Sequence, residues 1–358
     1  MPIRDLPATP AAVDPLNSAA QQGARDRQAR LARPAGTLGR LEELAVWLAG
    51  VQGRCPPLPP RQPTVVVFAG DRGDARTGGS AYPPAVTGEL VANVLAGGAA
   101  VNVLARLVGA TVRVVDLAVD GEVPGATTQT TRHKVRRSSG RIDLEDALTT
   151  EEAERAFAAG TTIADEEVDA GADLLVPGDL GIGNTTAAAV LVAAVTGAEP
   201  AAVVGHGTGI DDAAWMRRTA VVRDALRRAR GRAGDPLALL AAVAGADLAA
   251  MTGFLIQAAV RRTPVLLDGV VSAATALVAE RIAPAAVDWW MAGSRSTEPA
   301  QSLALDRLGL RPLLDLGLRM DDGTAALLAL PLINAAAATL AEVAASDSTD
   351  GGDCDHDG

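Results

Sequence analysis

Short β-branched runs alternate with long helical segments along this chain, and that rhythm narrows the folds open to it more than any other feature. The runs cover residues 64–68, 111–116, 174–177, 202–204, 265–267 and, less sharply, 288–291. They are apolar without strict alternation, the pattern of strands covered on both faces. Between them, residues 85–108, 151–170, 212–229 and 236–261 read as helices. Such a βαβα order predicts an α/β fold, with a mainly parallel sheet of about six strands flanked by helices. Ahead of the first run, Leu38, Leu41, Leu44, Ala45 and Leu48 recur at helical spacing. Pro56, Pro57, Pro59 and Pro60 then break the chain.

Nearly every run ends in small or acidic residues: Ala69-Gly-Asp71, Gly178-Asp179, Gly205-His-Gly-Thr-Gly209, Asp268-Gly269 and Ala292-Gly-Ser-Arg-Ser296. Ligands of open parallel sheets bind beyond the C-terminal ends of the strands, so these loops place one active site on one rim. The fullest of them is Val176-Pro-Gly-Asp-Leu-Gly-Ile-Gly-Asn-Thr-Thr-Ala-Ala-Ala189, a strand end, a Gly-rich turn and a helix start, with Asn184 and Thr185 as candidate N-caps. Free N–H groups and the positive end of the helix dipole suit an anion there. The spacing matches neither the Walker pattern nor G-x-G-x-x-G, so the turn reads as a phosphate or carboxylate site or as a tight turn only.

Composition excludes several functions. The formal net charge of −11, from 32 basic and 43 acidic residues, argues against a nucleic-acid footprint. Three Phe, four Trp and one Tyr leave the packing to Ala, Val and Leu. Cys55 and Cys354 lie far apart and imply no disulfide framework, which fits a reducing, cytoplasmic setting. No basic segment followed by an apolar one opens the chain, so no signal peptide is expected. Residues 325–340 are apolar but contain Pro331 and Asn334, and read as a buried helix rather than a membrane span. The polar Asp/Gly tail, 346–358, is expected to be disordered.

Taken in order, the loops resemble the nicotinate-nucleotide:dimethylbenzimidazole phosphoribosyltransferases of cobalamin lower-ligand synthesis. The resemblance runs from about Pro34 to Leu340 and rests on an ordered set of motifs. The first are Pro34-Ala-Gly-Thr-Leu-Gly-Arg-Leu-Glu42, Phe68-Ala-Gly-Asp71, Ser80-Ala-Tyr-Pro83 and Gly97-Gly-Ala-Ala-Val-Asn102. Gly178-Asp-Leu-Gly-Ile-Gly-Asn-Thr-Thr186 and Gly205-His-Gly-Thr-Gly-Ile-Asp-Asp212 follow. The last are Ala249-Ala-Met-Thr-Gly253, Val265-Leu-Leu-Asp-Gly269, Glu298-Pro299 and Asp322-Gly-Thr324. Trp289-Trp290 and Ala213-Ala-Trp-Met216 are similar to the actinobacterial branch. The resemblance implies transfer of the phosphoribosyl group from nicotinate mononucleotide to 5,6-dimethylbenzimidazole, giving α-ribazole 5′-phosphate and nicotinate. It also implies a Rossmann-like large domain over 61–296, and a small helical domain from 1–60 and 297–345. A homodimer with its site near the subunit interface is expected, with no nucleic-acid or membrane partner.

The residues suit that chemistry. A pyridinium leaving group is already cationic, so neither metal nor cofactor is expected. The transition state is oxocarbenium-like, as at other glycosidic centres. The incoming base must lose its N–H proton, which calls for a positioned carboxylate. Where the family has Gly-Glu-Gly-Thr, with Glu as that base, this chain reads Asp321-Asp322-Gly323-Thr324. Asp322 is therefore the expected general base, on a side chain shorter by one methylene. Asp179 stands for a second family Glu and is expected to orient base or ribose. Gly181, Gly183, Gly205 and Gly207 are the expected phosphate cradle, Asn184 is expected to bind substrate, and Arg218 stands in place of a family Lys. Tyr82 and Leu318 are expected around the aromatic base, Ser80 is expected to bind substrate, and Glu89 stands where the family has a Gln that faces the aromatic substrate. Arg72 and Asp74 replace a family His and Val, and Ser294 a His. These departures also fit transfer to a different base, or ligand binding without turnover.

Each residue has a plainer structural role available. Asp322 suits a helix cap, Asp179 a turn, and Ser80 and Tyr82 a turn and the core. His206 suits a phosphate contact or a hydrogen-bonded structural position. Arg218 suits a solvated helix face, and Arg72 an anion contact or a surface charge. Cys354-Asp-His356 has the composition of a metal site but lies in the polar tail.

Overall fold

The computed structural model describes residues 13–207 and 209–346. The 347–358 part of the tail, with Cys354 and His356, lies outside the described residues. Five strands form one parallel sheet: β1 (Pro63–Gly70), β2 (Thr111–Ala118), β3 (Leu174–Leu180), β4 (Val265–Leu267) and β5 (Trp290–Ala292), in the order β2-β1-β3-β4-β5. β1 and β3 are buried along their whole length, as their unbroken apolar runs require. The sixth expected strand, 202–204, is instead the end of a short helix, Pro200–Val203. Pro200 occupies its first turn, where the fixed φ favours a helix and no N–H is missed.

The order reverses between β1 and β3, and the crevice there is the position favoured for ligands in a doubly wound sheet. Phe68 lies opposite Asp179 in the register of these two strands, so both end together. Among the helices, two expected as continuous are broken. Residues 85–108 form Val86–Leu95 and Ala100–Val108, parted at Gly97-Gly98, and 236–261 form Pro236–Val243 and Ala246–Val260, parted at Gly245. The helices Thr150–Asp169 and Ala246–Val260 cross closely, because Gly160 and Gly253 lack the side chains that would overlap the Ala250 and Phe157 carbonyls. Beneath them Phe68 and Phe254 meet edge to face at 5.3 Å, one of few aromatic contacts in an Ala/Val/Leu core.

The described residues divide into two compact units. Residues 13–15 and 61–330 carry the sheet. The 297–330 segment, expected in the small domain, belongs here, since its helix Pro299–Leu308 packs on Asn184–Thr196 and Gly269–Ile282. The second unit joins 16–60 and 331–346. In it the helices Ser18–Ala29 and Arg40–Gln52 pack together. Leu31 bridges Ala345 antiparallel, and the Arg27 guanidinium donates to the Leu340 and Ala341 carbonyls.

Candidate active site

A cavity of about 500 Å³ opens at the C-terminal rim of the sheet, within the first unit. Its floor is the turn after β3. Asp179 is the penultimate residue of that strand, and Gly181 to Thr186 lead into the helix Asn184–Thr196, whose N-terminus faces the cavity. Gly181 passes so close to the Gly70 carbonyl that a Cβ would overlap it. One wall comes from the segment after β1: Gly79 to Tyr82, then Val86, Leu90, Asn93 and Val94. Those last four are spaced by four, three and one residues along Val86–Leu95 and share a helix face. Arg218, Ser296 to Glu298, and Arg319 to Asp322 contribute further lining.

Of the residues singled out in the sequence, Ser80, Tyr82, Asp179, Gly181, Gly183, Asn184, Gly207, Arg218 and Asp322 meet around this one space. Glu89, Gly205 and Leu318, also expected to bind substrate, stand apart from it. Glu89 is exposed, turned off the face that Val86, Leu90 and Asn93 present. Gly205 is buried behind the wall, donating to Glu298 Oε2 at 3.3 Å and accepting from Arg218 Nη1 at 3.2 Å. Leu318 is half-buried outside the lining, and Met320, two residers closer to the cavity along the chain, supplies the apolar surface. Sequence reasoning passed over Met320, Arg319 and Asp321. The doubled Asp321-Asp322 was the available signal for the last.

The loop bearing these aspartates is pinned from two strands. Asp179 N–H donates to the Asp321 carbonyl at 2.6 Å, and Gly178 leaves space for the Asp322 carbonyl. Asp268, at the end of β4, accepts from the Gly323 and Ala326 N–H groups at 2.8 and 2.7 Å. Asp322 Oδ1 accepts from the Thr324 N–H at 3.1 Å. Its pKa is raised by burial, and Thr324 opposes the shift.

Asp179 is almost fully buried. Asn184 Nδ2 donates to its Oδ2, and Oδ1 has no partner among the described residues. Burial and then Asp247 raise its pKa well above the carboxylate range, against Arg72 and Asn184. Asn184 thus orients Asp179, while Gly183 takes the N-cap position. Arg218 is buried, not solvated, and pairs with Glu298 Oε2 at 3.2 Å. Glu298 also accepts the Gly207 N–H at 2.8 Å, fixing the Gly-rich turn. Arg72 is neither an anion contact nor a surface charge: it is sealed in a bidentate pair with Asp247, at 2.6 and 2.7 Å. His206 is exposed, outside the cavity lining, and stacks on Trp215 at 6.2 Å. Ser80 Oγ accepts from the Tyr82 N–H at 3.2 Å, holding Tyr82 half-exposed on the cavity wall.

A pocket with an apolar wall, a helix N-terminus and a cluster of carboxylates has the chemistry to take a flat base beside an anionic group. Comparison with known proteins points the same way. A family model described as phosphoribosyltransferase matches residues 13–350. The nicotinate-nucleotide–dimethylbenzimidazole phosphoribosyltransferase of Mycolicibacterium paratuberculosis is 60% identical over 334 residues, 93% of this chain and 95% of that protein. The protein of the same name from Mycobacterium tuberculosis is 60% identical, over 93% of this chain and 92% of its own. The crystal structure of CobT from Thermus thermophilus superposes with a TM-score of 0.86 at 43% identity, covering 91% of this chain and 97% of that one. With the family model, these relatives and the shared fold in agreement, the chain belongs to the nicotinate-nucleotide–dimethylbenzimidazole phosphoribosyltransferase family.

Proposed function

We propose that the protein transfers the 5-phosphoribosyl group of nicotinate mononucleotide to 5,6-dimethylbenzimidazole, forming α-ribazole 5′-phosphate and nicotinate. The observation that carries this reading is the cavity itself. It sets Tyr82, Val86, Leu90 and Met320 against Asp179, Asp321 and Asp322, over a helix N-terminus. The apolar group receives the benzimidazole. Gly181, Gly183 and the start of the helix Asn184–Thr196 receive the phosphate, where the positive end of the helix dipole favours an anion. Arg319 lines the same space, donates to the Gly207 carbonyl at 3.4 Å and makes no ion pair among the described residues, so its charge is available to the substrate.

Displacement at C1′ needs two things from the chain: a proton acceptor for the benzimidazole, and positioning of both rings. The family resemblance designates Asp322 as the acceptor. Asp179, whose burial favours the neutral form, donates a hydrogen bond to ribose or base. The second part of the reading is a cytoplasmic homodimer. Leu90, Val103 and Leu107 are exposed on the neighbouring helices Val86–Leu95 and Ala100–Val108, an apolar surface suited to a second copy.

The test is chromatographic detection of α-ribazole 5′-phosphate from purified protein supplied with both substrates. Product formation that rises with enzyme supports the reading, and absence of product from folded protein rejects it. Light scattering checks the dimer, with Leu107→Glu expected to yield monomer.

A further inference from the structure

Asp321 and Asp322 are adjacent in sequence, yet their carboxylates are held differently. Asp322 is buried and folds back on its own loop through the Thr324 N–H. Asp321 instead reaches the start of the helix Gly269–Ile282, where its Oδ1 accepts from the Val270 N–H at 3.0 Å. The positive end of that helix lies under the carboxylate and supports its charge. Gly269, at φ +68°, makes the approach possible, since a Cβ there would overlap Asp321 Oδ1. No described residue donates to Oδ2. Asp321 lines the cavity and is less buried than its neighbour.

We infer that Asp321, rather than Asp322, is the general base of the transfer proposed above, held by one oxygen on a helix start and offering the other to the cavity. The inference rests on that reaction and assigns its proton. The proton on one benzimidazole nitrogen passes to Asp321 Oδ2, and the lone pair of the other ring nitrogen forms the bond to C1′. The bond from C1′ to the pyridinium nitrogen breaks, and its electron pair stays on the departing ring as neutral pyridine nitrogen. Asp322 is then a positioning residue that shapes the loop.

The surroundings suit the task. Burial raises the Asp321 pKa to about 7, with Val270 N–H opposing, Glu298 and Asp322 adding to the rise and Arg218 opposing it. Asp179 and Asp268 also face it across the loop. A base poised near neutrality combines the right protonation state with the greatest proton affinity.

Initial rates across pH 5.5–9 for wild type, Asp321→Asn and Asp322→Asn decide the matter. Asp321→Asn is expected to lose about 10²–10⁴-fold in kcat with little change in KM, and to lose the acidic limb near pH 7. Asp322→Asn is expected to keep that limb. Formate added to Asp321→Ala is expected to restore part of kcat, and to leave Asp322→Ala unchanged, which separates proton transfer from loss of folding. The assignment is overturned if Asp322→Asn loses the limb while Asp321→Asn keeps it, or if formate rescues only Asp322→Ala. A wild type that forms no product rejects the reaction itself and the assignment with it.

Discussion

Two buried arginine–carboxylate pairs stand on either side of the turn after β3, and they do opposite work. Arg72–Asp247 is fully sealed, with both side chains at 0% exposure. Its surroundings fit it tightly: a Cβ on Gly70 would come within 2.7 Å of the Asp247 carboxyl carbon, and one on Gly245 would overlap the Arg72 guanidinium. Arg218–Glu298 sits on the cavity wall, and Glu298 spends its remaining capacity on the Gly205 and Gly207 N–H groups. The first pair braces the segment behind Asp179. The second shapes the cavity wall. The same chemistry therefore supports the fold in one place and the site in the other, according to what else the carboxylate holds.

The sharpest way to break the contrast is Asp247→Ala, which strands a buried guanidinium and should cost about 3–5 kcal/mol of stability in urea unfolding. The double variant Arg72→Met with Asp247→Leu should recover most of that loss, since an apolar pair of similar volume removes the uncompensated charge. A double variant no more stable than Asp247→Ala would mean the pair is irreplaceable and the comparison misjudged.

The pH dependence separates the regions next. Burial raises Asp74, which faces Arg72, to about 6, and Asp321, which faces Glu298 and Arg218, to about 7. A carboxyl raised in the folded state contributes stability that is whole below its unfolded pKa near 4 and is lost as pH rises through the folded value. Stability should therefore fall by about 4 kcal/mol between pH 5 and pH 8. Asp74→Asn should remove the part of the fall that ends near pH 6, and Asp321→Asn the part that continues to about pH 7. A rise over that interval would contradict both environments.

Glu298→Gln should behave unlike Asp247→Ala. We expect about 1–2 kcal/mol of lost stability from the weakened charge-assisted hydrogen bonds. The larger loss should appear in kcat/KM, about 10–100-fold, because the Gly-rich turn is no longer held in register. The smallest effect belongs to a pair at the surface. Arg76–Asp120, at 3.0 Å but 71% and 45% exposed, should cost within about 0.5 kcal/mol on Arg76→Ala.

Much of the scaffold was legible because strands covered on both faces are written as apolar runs, and β1, β2 and β3 stand where those runs are. The 202–204 run misled because three β-branched or small residues cannot by themselves distinguish a strand from a helix turn, and Pro200 decided for the helix. The rim rule located most of the cavity wall from loop composition. Arg72 escaped it because its partner lies 175 residues away, with no local trace of burial. Asp321 escaped for a related reason: the hydrogen bond that holds its carboxylate comes from Val270, 51 residues earlier in the chain.

The contact of the 321–324 loop with the end of β3 also bears on how the protein is made. The floor of the site leaves the ribosome with Asp179, but the carbonyl that its N–H requires belongs to Asp321. At ordinary rates of translation the two are separated by on the order of ten seconds. Through that interval the nascent sheet carries an unfinished rim with a polar group unmatched. Competence therefore arrives all at once and late, when the last loop seats, so a prematurely arrested chain lacks the site however well its strands have paired.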